Sequence, residues 1–180
     1  MNLLRIAYVL AAMLSLALLH TPALAEPHHN KLAGFQEVPV VVTGGSGQFE
    51  MKIAPGDGSF DFVLSYEGIE GGAIQQAHIH VGQRNVNGGI VVFLCTNLAP
   101  PAGVPTPPTC PTPSGTVSGT RTAADVVAQP TQGVSAGELA AVLTAVRNGR
   151  AYANVHSTTS PGGEIRGQIS RGGGDHDDDD

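Results

Sequence analysis

The chain has 180 residues, with 9 Lys and Arg against 15 Asp and Glu, and a net charge of −6 when the histidines are neutral. This balance excludes a broad basic face for nucleic acid or anionic lipid, because such faces need clustered Lys and Arg. The length suits one domain with a single hydrophobic core. Serine nucleophile elbows, Walker loops, paired carboxylate motifs and dinucleotide fingerprints are missing from the sequence, which gives no support to the enzyme classes that use them.

The first 25 residues have the pattern of a signal peptide. Arg5 supplies the positive charge, Ile6–Leu19 is the apolar stretch, and Ala23-Leu24-Ala25 is a small-residue cleavage site. The apolar stretch is shorter than a membrane-spanning helix requires. We therefore predict an exported protein, secreted or periplasmic, that has no integral membrane span once residues 1–25 are removed.

Polar segments flank the predicted domain at both ends. Residues 26–31 contain two histidines, but Pro27 lacks the ionisable amide of an N-terminal copper site, so we predict a flexible N-terminus. Residues 172–180 are three glycines followed by an Asp-rich run, which predicts a disordered, solvated tail. Weak capture of divalent cations by this tail is the alternative. The domain itself is expected over residues 32–171.

The first half of the domain predicts an edge strand followed by a β-hairpin. Residues 32–42 are assigned to an edge or the start of a strand, because Pro39 cannot donate to a central sheet. Residues 48–53 and 59–66 each alternate apolar with polar side chains, as half-buried strands do. The intervening Pro55-Gly56-Asp57-Gly58 is a strong turn signal.

The second half adds further short strands and one helix. Ser135 and Glu138 have the spacing of a capping box, an apolar stripe follows, and Gly149 ends the predicted helix. About eight strands separated by turns indicate an antiparallel Greek-key β-sandwich or barrel. The helix is expected to pack across an open end or edge of the sheet. The later strand candidates are residues 75–82, 90–94, 115–122, 150–156 and 164–171.

Cys95 and Cys110 are expected to form a disulfide, since that is the default for a cysteine pair in an exported protein. The bond would close a proline-rich loop, for which the chain-entropy estimate is roughly 3 kcal/mol of stabilisation. A redox-active or metal-binding pair is less favoured, because the two residues lack C-x-x-C spacing.

Three histidines are the candidate site. In an extended strand His78 and His80 point to the same side, and His156 lies far away in sequence on another predicted strand. Three neutral imidazoles suit copper or zinc and leave one coordination position open. The alternative is a structural role, in which the histidines hydrogen-bond a loop at the end of the sheet. The expected outer partners of a metal site are Asn154, Gln76 or Glu164.

Four motifs resemble the CHRD domain, first described in chordin. They are Leu32–Pro39, Ala77–Gly82, Gly149–His156 and Gly163–Ile169, and the resemblance extends from Leu32 to about Ser170. It implies an extracellular, non-catalytic binding module whose partner is an unidentified extracellular or envelope protein. Chordin's cysteine-rich modules have no counterpart here, so a growth-factor role is not carried over.

The order of a His-x-His strand, a later Val-His and a closing Gly-x-x-Arg strand is also similar to copper–zinc superoxide dismutases. That resemblance implies copper ligation by His78, His80 and His156, and guidance of superoxide by Arg166. The zinc site and bridging histidine of that family have no counterpart here. From its own strand position, Arg166 is predicted instead to pair with Glu164. The sequence thus supports a non-catalytic binding module, with a small copper- or zinc-binding protein, an oxidoreductase of dismutase type if catalytic, as the alternative.

Overall fold

The structure is a computed structural model that describes residues 24–100 and 102–171. The predicted signal peptide up to residue 23 and the predicted acidic tail lie outside the described residues. Nine strands and one α-helix are described. Their bounds are β1 Glu26–Ala33, β2 Ser46–Ile53, β3 Ser59–Glu67, β4 Ile74–Val81, β5 Gly89–Thr96, β6 Gly115–Thr122, α1 Leu139–Arg147, β7 Ala151–Ser157, β8 Ile165–Gln168 and β9 Ser170–Arg171.

The strands form one antiparallel sheet that curls into a nearly closed barrel. Its strand order is β5-β4-β7-β8-β1-β2-β3-β6, and β9 pairs with β1. The mainly β, antiparallel architecture with one helix therefore confirms the predicted fold class. No helix within the described ranges is long and apolar enough to cross a membrane.

The β2–β3 hairpin supplies much of the barrel core, as its alternating sequence predicts. The two strands pair from Ser46 with Glu67 to Ile53 with Phe60. Burying each large apolar side chain contributes roughly 1.5–3 kcal/mol, which makes this hairpin a main source of stability. Its buried side chains are Phe49, Met51, Ile53, Phe60, Phe62, Leu64 and Tyr66.

Arg121 spans the gap between β5 and β6, the two strands at the ends of the sheet order. Its Nε donates to the Phe93 carbonyl and its Nη2 to the Leu94 carbonyl, both at 2.9 Å. The guanidinium also lies 4.9 Å from the centre of the Phe62 ring. The disulfide between Cys95 and Cys110, predicted from the sequence, ties the end of β5 to the proline-rich loop.

The first strand begins earlier than predicted. Glu26–Ala33 pairs with β2 along its whole length, so the flexible terminus at residues 26–31 and the strand over residues 32–42 are both wrong. The inward side chains of β1 include His28 and Asn30, which are buried but polar. Hydrophobic alternation is the main sequence signal of a strand, and the polar residues at the start of β1 do not show it. After Ala33 the chain turns away through a 3-10 turn at Gly34–Gln36.

Helix α1 also begins later than predicted. It starts at Leu139, and the Ser135 side chain does not cap it. The Glu138 carboxylate accepts a hydrogen bond from the Ser135 amide at 2.8 Å, which forms one half of the expected capping box in the preceding turn. The closing strand predicted over residues 164–171 is likewise divided into β8 and β9.

The helix packs across one end of the barrel. Its buried face contacts β4, β7 and β9 near the ends of those strands. Arg147 in its last turn donates to Glu26 at 2.8 Å and to both carboxylate oxygens of Asp57 at 2.7 and 2.8 Å. These ion pairs join the helix to the start of β1 and to the β2–β3 turn. The side chains that α1 buries are Leu139, Val142, Leu143 and Val146.

Candidate metal centre

The three histidines lie on the face of β4 and β7 that points away from the barrel core. In the antiparallel register, His78 is opposite Asn154, His80 is opposite Tyr152, and Gln76 is opposite His156. Directly opposed residues share a face of the sheet, so these side chains lie together. The alternate residues enter the hydrophobic core instead, namely Ala77, Ile79, Ala153 and Val155.

The histidine side chains converge. One ring nitrogen from each of His78, His80 and His156 lies within 4.8 Å of the others. The closest pair is His78 Nδ1 and His156 Nε2, which are 3.0 Å apart. All three residues are buried, with exposed fractions of 1%, 6% and 7%. The structure therefore brings together the three residues that the sequence selected.

Two main-chain carbonyls fix the tautomers of two of the histidines. His80 Nδ1 lies 2.9 Å from the Gly88 carbonyl, and His156 Nδ1 lies 2.9 Å from the Pro161 carbonyl. A carbonyl oxygen only accepts, so each Nδ1 carries the proton and donates it. Each Nε2 then presents a free lone pair, the form in which imidazole binds metals.

Two ring nitrogens of the cluster have no partner in the part of the chain that the structure describes. The Nε2 atoms of His78 and His80 are buried without a hydrogen bond among the described residues. Buried polar atoms are nearly always hydrogen-bonded, and leaving one unpaired costs about 1–3 kcal/mol. Histidines with a purely structural role would be expected to pair these atoms. The unpaired Nε2 lone pair of His80, beside the other two imidazoles, instead suits a bound cation.

Burial keeps the three imidazoles neutral near pH 7. Desolvation lowers the pKa of His80 to about 4, opposed by its hydrogen bond to Gly88. Desolvation also lowers the pKa of His156, and it lowers that of His78 well below the usual range, helped by repulsion from the other two rings. Neutral imidazoles need no deprotonation before a metal binds, which removes the proton competition that weakens histidine sites.

The side chains of Arg166 and Tyr152 stack beside His80. The Tyr152 ring is parallel to the His80 ring within 7°, at a centroid distance of 4.7 Å, and the Arg166 guanidinium lies 3.4 Å from the centre of the Tyr152 ring. Arg166 Nη2 donates to the carbonyls of Gln83 and Val86 at 3.1 and 3.0 Å. Arg166 therefore secures the β4–β5 loop over the site, and its assigned role in guiding an anion remains a prediction.

The predicted ion pair between Arg166 and Glu164 is wrong. The buried Glu164 carboxylate accepts hydrogen bonds from the Thr43 hydroxyl and the Glu70 amide at 2.8 Å. Its other donors are the Gly71 amide and the Ser157 hydroxyl. Burial favours the neutral acid, but these bonds outweigh it and lower the pKa of Glu164. The carboxylate therefore holds three segments of chain together and has no contact with the histidines.

Of the predicted outer partners, Asn154 alone touches the cluster. Its Oδ1 lies 3.0 Å from His156 Nε2. Gln76 donates to the Thr96 hydroxyl at 3.1 Å, and Glu164 makes the contacts given above. The register places both Asn154 and Gln76 opposite a histidine, but the Gln76 amide is directed at Thr96 on β5 instead.

Sequence reasoning missed Glu37. This residue is 4% exposed, and its Oε1 has no hydrogen bond among the described residues. Desolvation raises the pKa of Glu37 to about 7, partly opposed by the charge of Arg166 and a hydrogen bond from Asn154. Its position inside the Leu32–Pro39 motif was the available signal. Its residue type gave none, because glutamates are usually exposed.

Together these features define a small, mainly β protein, an antiparallel barrel with a three-histidine cluster under its loops. The family model of the CHRD domain matches residues 29–169 of this chain. The chain belongs to the CHRD domain family. Comparison with curated proteins and with solved structures gives no significant match.

The cluster fits a transition-metal ion. Metal–nitrogen distances of about 2.0–2.1 Å place neighbouring tetrahedral ligands about 3.4 Å apart. The His78 Nδ1 to His156 Nε2 distance of 3.0 Å is close to this value. The buried, unpaired Nε2 of His80 is available as the third donor. Three imidazoles of this kind suit zinc or copper.

Proposed function

We propose that this protein is an exported CHRD module that binds one copper or zinc ion through His78, His80 and His156. The observation that carries the proposal is the convergence of three neutral imidazoles, with a buried Nε2 on His80 that has no partner among the described residues. The backbone carbonyls that hold the Nδ1 protons of His80 and His156 support it further. In a purely structural cluster the buried lone pair of His80 would be expected to accept a hydrogen bond.

Export is part of the same proposal. The disulfide is compatible with a secreted or periplasmic location, since such bonds persist in oxidising compartments. The signal-peptide pattern in residues 1–25 gives the independent argument. N-terminal sequencing of the protein from the periplasm or medium tests it, and a chain that starts at Glu26 is the expected result. An uncleaved chain retained in the cytoplasm would contradict export.

The test of the metal site is elemental analysis of the mature protein, purified without a His-tag, beside His78→Ala and His156→Ala. About one copper or zinc per chain in the wild type, and loss in both variants, is expected. His29→Ala is the matched control, because His29 lies on the exposed side of β1 and outside the cluster. Metal also binds only the folded state, so chelation should lower the melting temperature of the wild type but not of His80→Ala. A wild type that takes up neither metal would refute the proposal.

A second candidate function is recognition of an extracellular or envelope protein without catalysis. The loop after β1 exposes three apolar side chains, with exposed fractions of 69% for Phe35, 56% for Val40 and 83% for Val42. Grouped exposed apolar side chains on one loop are typical of binding surfaces. Capture of an envelope or extracellular protein by the mature wild type, and loss of it in Phe35→Ser with Val42→Ser, is the expected result. Unchanged capture by the double variant would exclude this loop.

A further inference from the structure

The amide oxygen of Asn154 makes a contact that a hydrogen bond does not explain. His156 Nε2 lies 3.0 Å from Asn154 Oδ1 and also 3.0 Å from His78 Nδ1. The single proton of neutral His156 resides on Nδ1, where it is donated to the Pro161 carbonyl. His156 Nε2 is therefore an acceptor, and so is an amide oxygen. Two lone pairs thus face each other in a buried space.

The surroundings of Asn154 determine which end of its amide faces His156. Its Nδ2 and the Oε1 of Glu37 both border the space that a Cβ at Gly163 would occupy. The amide nitrogen therefore lies on the Glu37 side, where it meets a carboxyl group that accepts. In this orientation the Asn154 amide interacts with the Glu37 side chain, and that interaction lowers the pKa of Glu37. The oxygen is consequently the end directed at the histidines.

A cation between these atoms would remove the repulsion. Zinc or copper binds oxygen at about 2.0–2.2 Å and imidazole nitrogen at about 2.0–2.1 Å, so adjacent ligand atoms lie about 3–3.5 Å apart. The two measured separations of 3.0 Å agree with this spacing. We propose that Asn154 Oδ1 is the fourth ligand of the metal, an inference that rests on the proposed three-histidine site.

A fourth protein ligand changes the function of the site. Three imidazoles and one amide oxygen suit Zn²⁺ or Cu²⁺ better than soft Cu⁺, which prefers sulfur ligands. Sites with four protein ligands stabilise a fold, whereas catalytic sites keep one position for water or substrate. The ligand residues here are between 1% and 7% exposed, Asn154 included at 2%. The metal would thus support the β4–β7 face without catalysing a reaction, which also argues against dismutase chemistry.

Azide titration of the Cu²⁺-loaded protein tests the fourth ligand, because azide occupies an open or water-filled copper position and gives a charge-transfer absorption band. Wild type should show no band at azide concentrations that produce one in Asn154→Ala. Asn154→Asp keeps an oxygen at the same place and, like the wild type, should show no azide band. Gln76→Ala is the matched control, since Gln76 shares the face but bonds to Thr96, and it should also show no band.

The outcomes separate this inference from the proposed function. An azide band in the wild type, or the same response in wild type and Asn154→Ala, overturns the Asn154 ligand while leaving the three-histidine site intact. A wild type that takes up neither copper nor zinc refutes the proposed function, and this inference with it. The wild-type measurement alone can overturn the inference, so the test does not depend on the folding of any variant.

Discussion

Replacing Glu164 with glutamine should destabilise the protein, because this carboxylate joins three separate segments of the chain. Its two oxygens accept from Thr43, Glu70, Gly71 and Ser157, and the residue is 1% exposed. Glutamine has one oxygen, and its amide nitrogen would face a donor. The Gly71 amide then loses its 3.0 Å bond to Oε2 and meets an N–H group there, so only its longer 3.2 Å bond to Oε1 remains.

The structure sets the expected magnitude. A hydrogen bond to a charged group contributes about 1.5–3 kcal/mol, and a donor left buried without a partner costs about 1–3 kcal/mol. We expect Glu164→Gln to lower the free energy of unfolding by about 3 kcal/mol at pH 7, measured by urea denaturation. Glu50→Gln is the matched control, since Glu50 is exposed on β2 and should give no more than about 0.5 kcal/mol.

The effect should depend on pH in one direction. The folded state lowers the pKa of Glu164 below the ordinary value of 4.5, so its contribution is complete above that pH. As the pH falls through the folded pKa, the carboxylate is protonated and the contribution is lost. The difference between wild type and Glu164→Gln should therefore narrow below pH 4.5. A difference near zero at pH 7, or one that widens in acid, would refute the reasoning.

Three further predictions concern the junction between β5 and β6, the disulfide and Glu37. Arg121→Met keeps the side-chain length but loses two charge-assisted hydrogen bonds to β5, so the free energy of unfolding in urea should fall by about 3 kcal/mol or more. An unchanged urea midpoint would show that these bonds do not hold β5 and β6 together. Replacing Cys95 and Cys110 together by serine should cost about 3 kcal/mol in the same assay, and equal stability under reducing and oxidising conditions would contradict this. Glu37 keeps its proton to about pH 7 when folded but loses it near 4.5 when unfolded, so wild-type stability should fall by about 3 kcal/mol as pH rises through that window. The Glu37→Gln variant cannot titrate at this position and should lack this loss of stability. If the free energy of unfolding of the two proteins changed with pH in parallel, the predicted contribution of Glu37 would be wrong.

The sequence by itself determined the elements whose pattern is local. The β2–β3 hairpin followed from strict alternation around Pro55–Gly58, and both strands pair as that alternation requires. The disulfide followed from two cysteines in one predicted loop. The strand period alone placed His78 and His80 on one face, because alternate residues of a strand point the same way. These features depend only on residues close together in the sequence or on the number of cysteines in the chain.

Only the tertiary structure decided the rest. The inner face of β1 begins with the polar His28 and Asn30, which give no hydrophobic signal, and this part of the chain pairs with β2. Glu164 and Arg166 lie two residues apart in one motif, yet Glu164 binds chain segments far away in sequence and Arg166 stacks on Tyr152. The register of β4 with β7 brings His78 and His80 to Asn154 and His156, and no spacing in the sequence specifies a register. Long-range pairing therefore decided which polar side chains surround the candidate metal site.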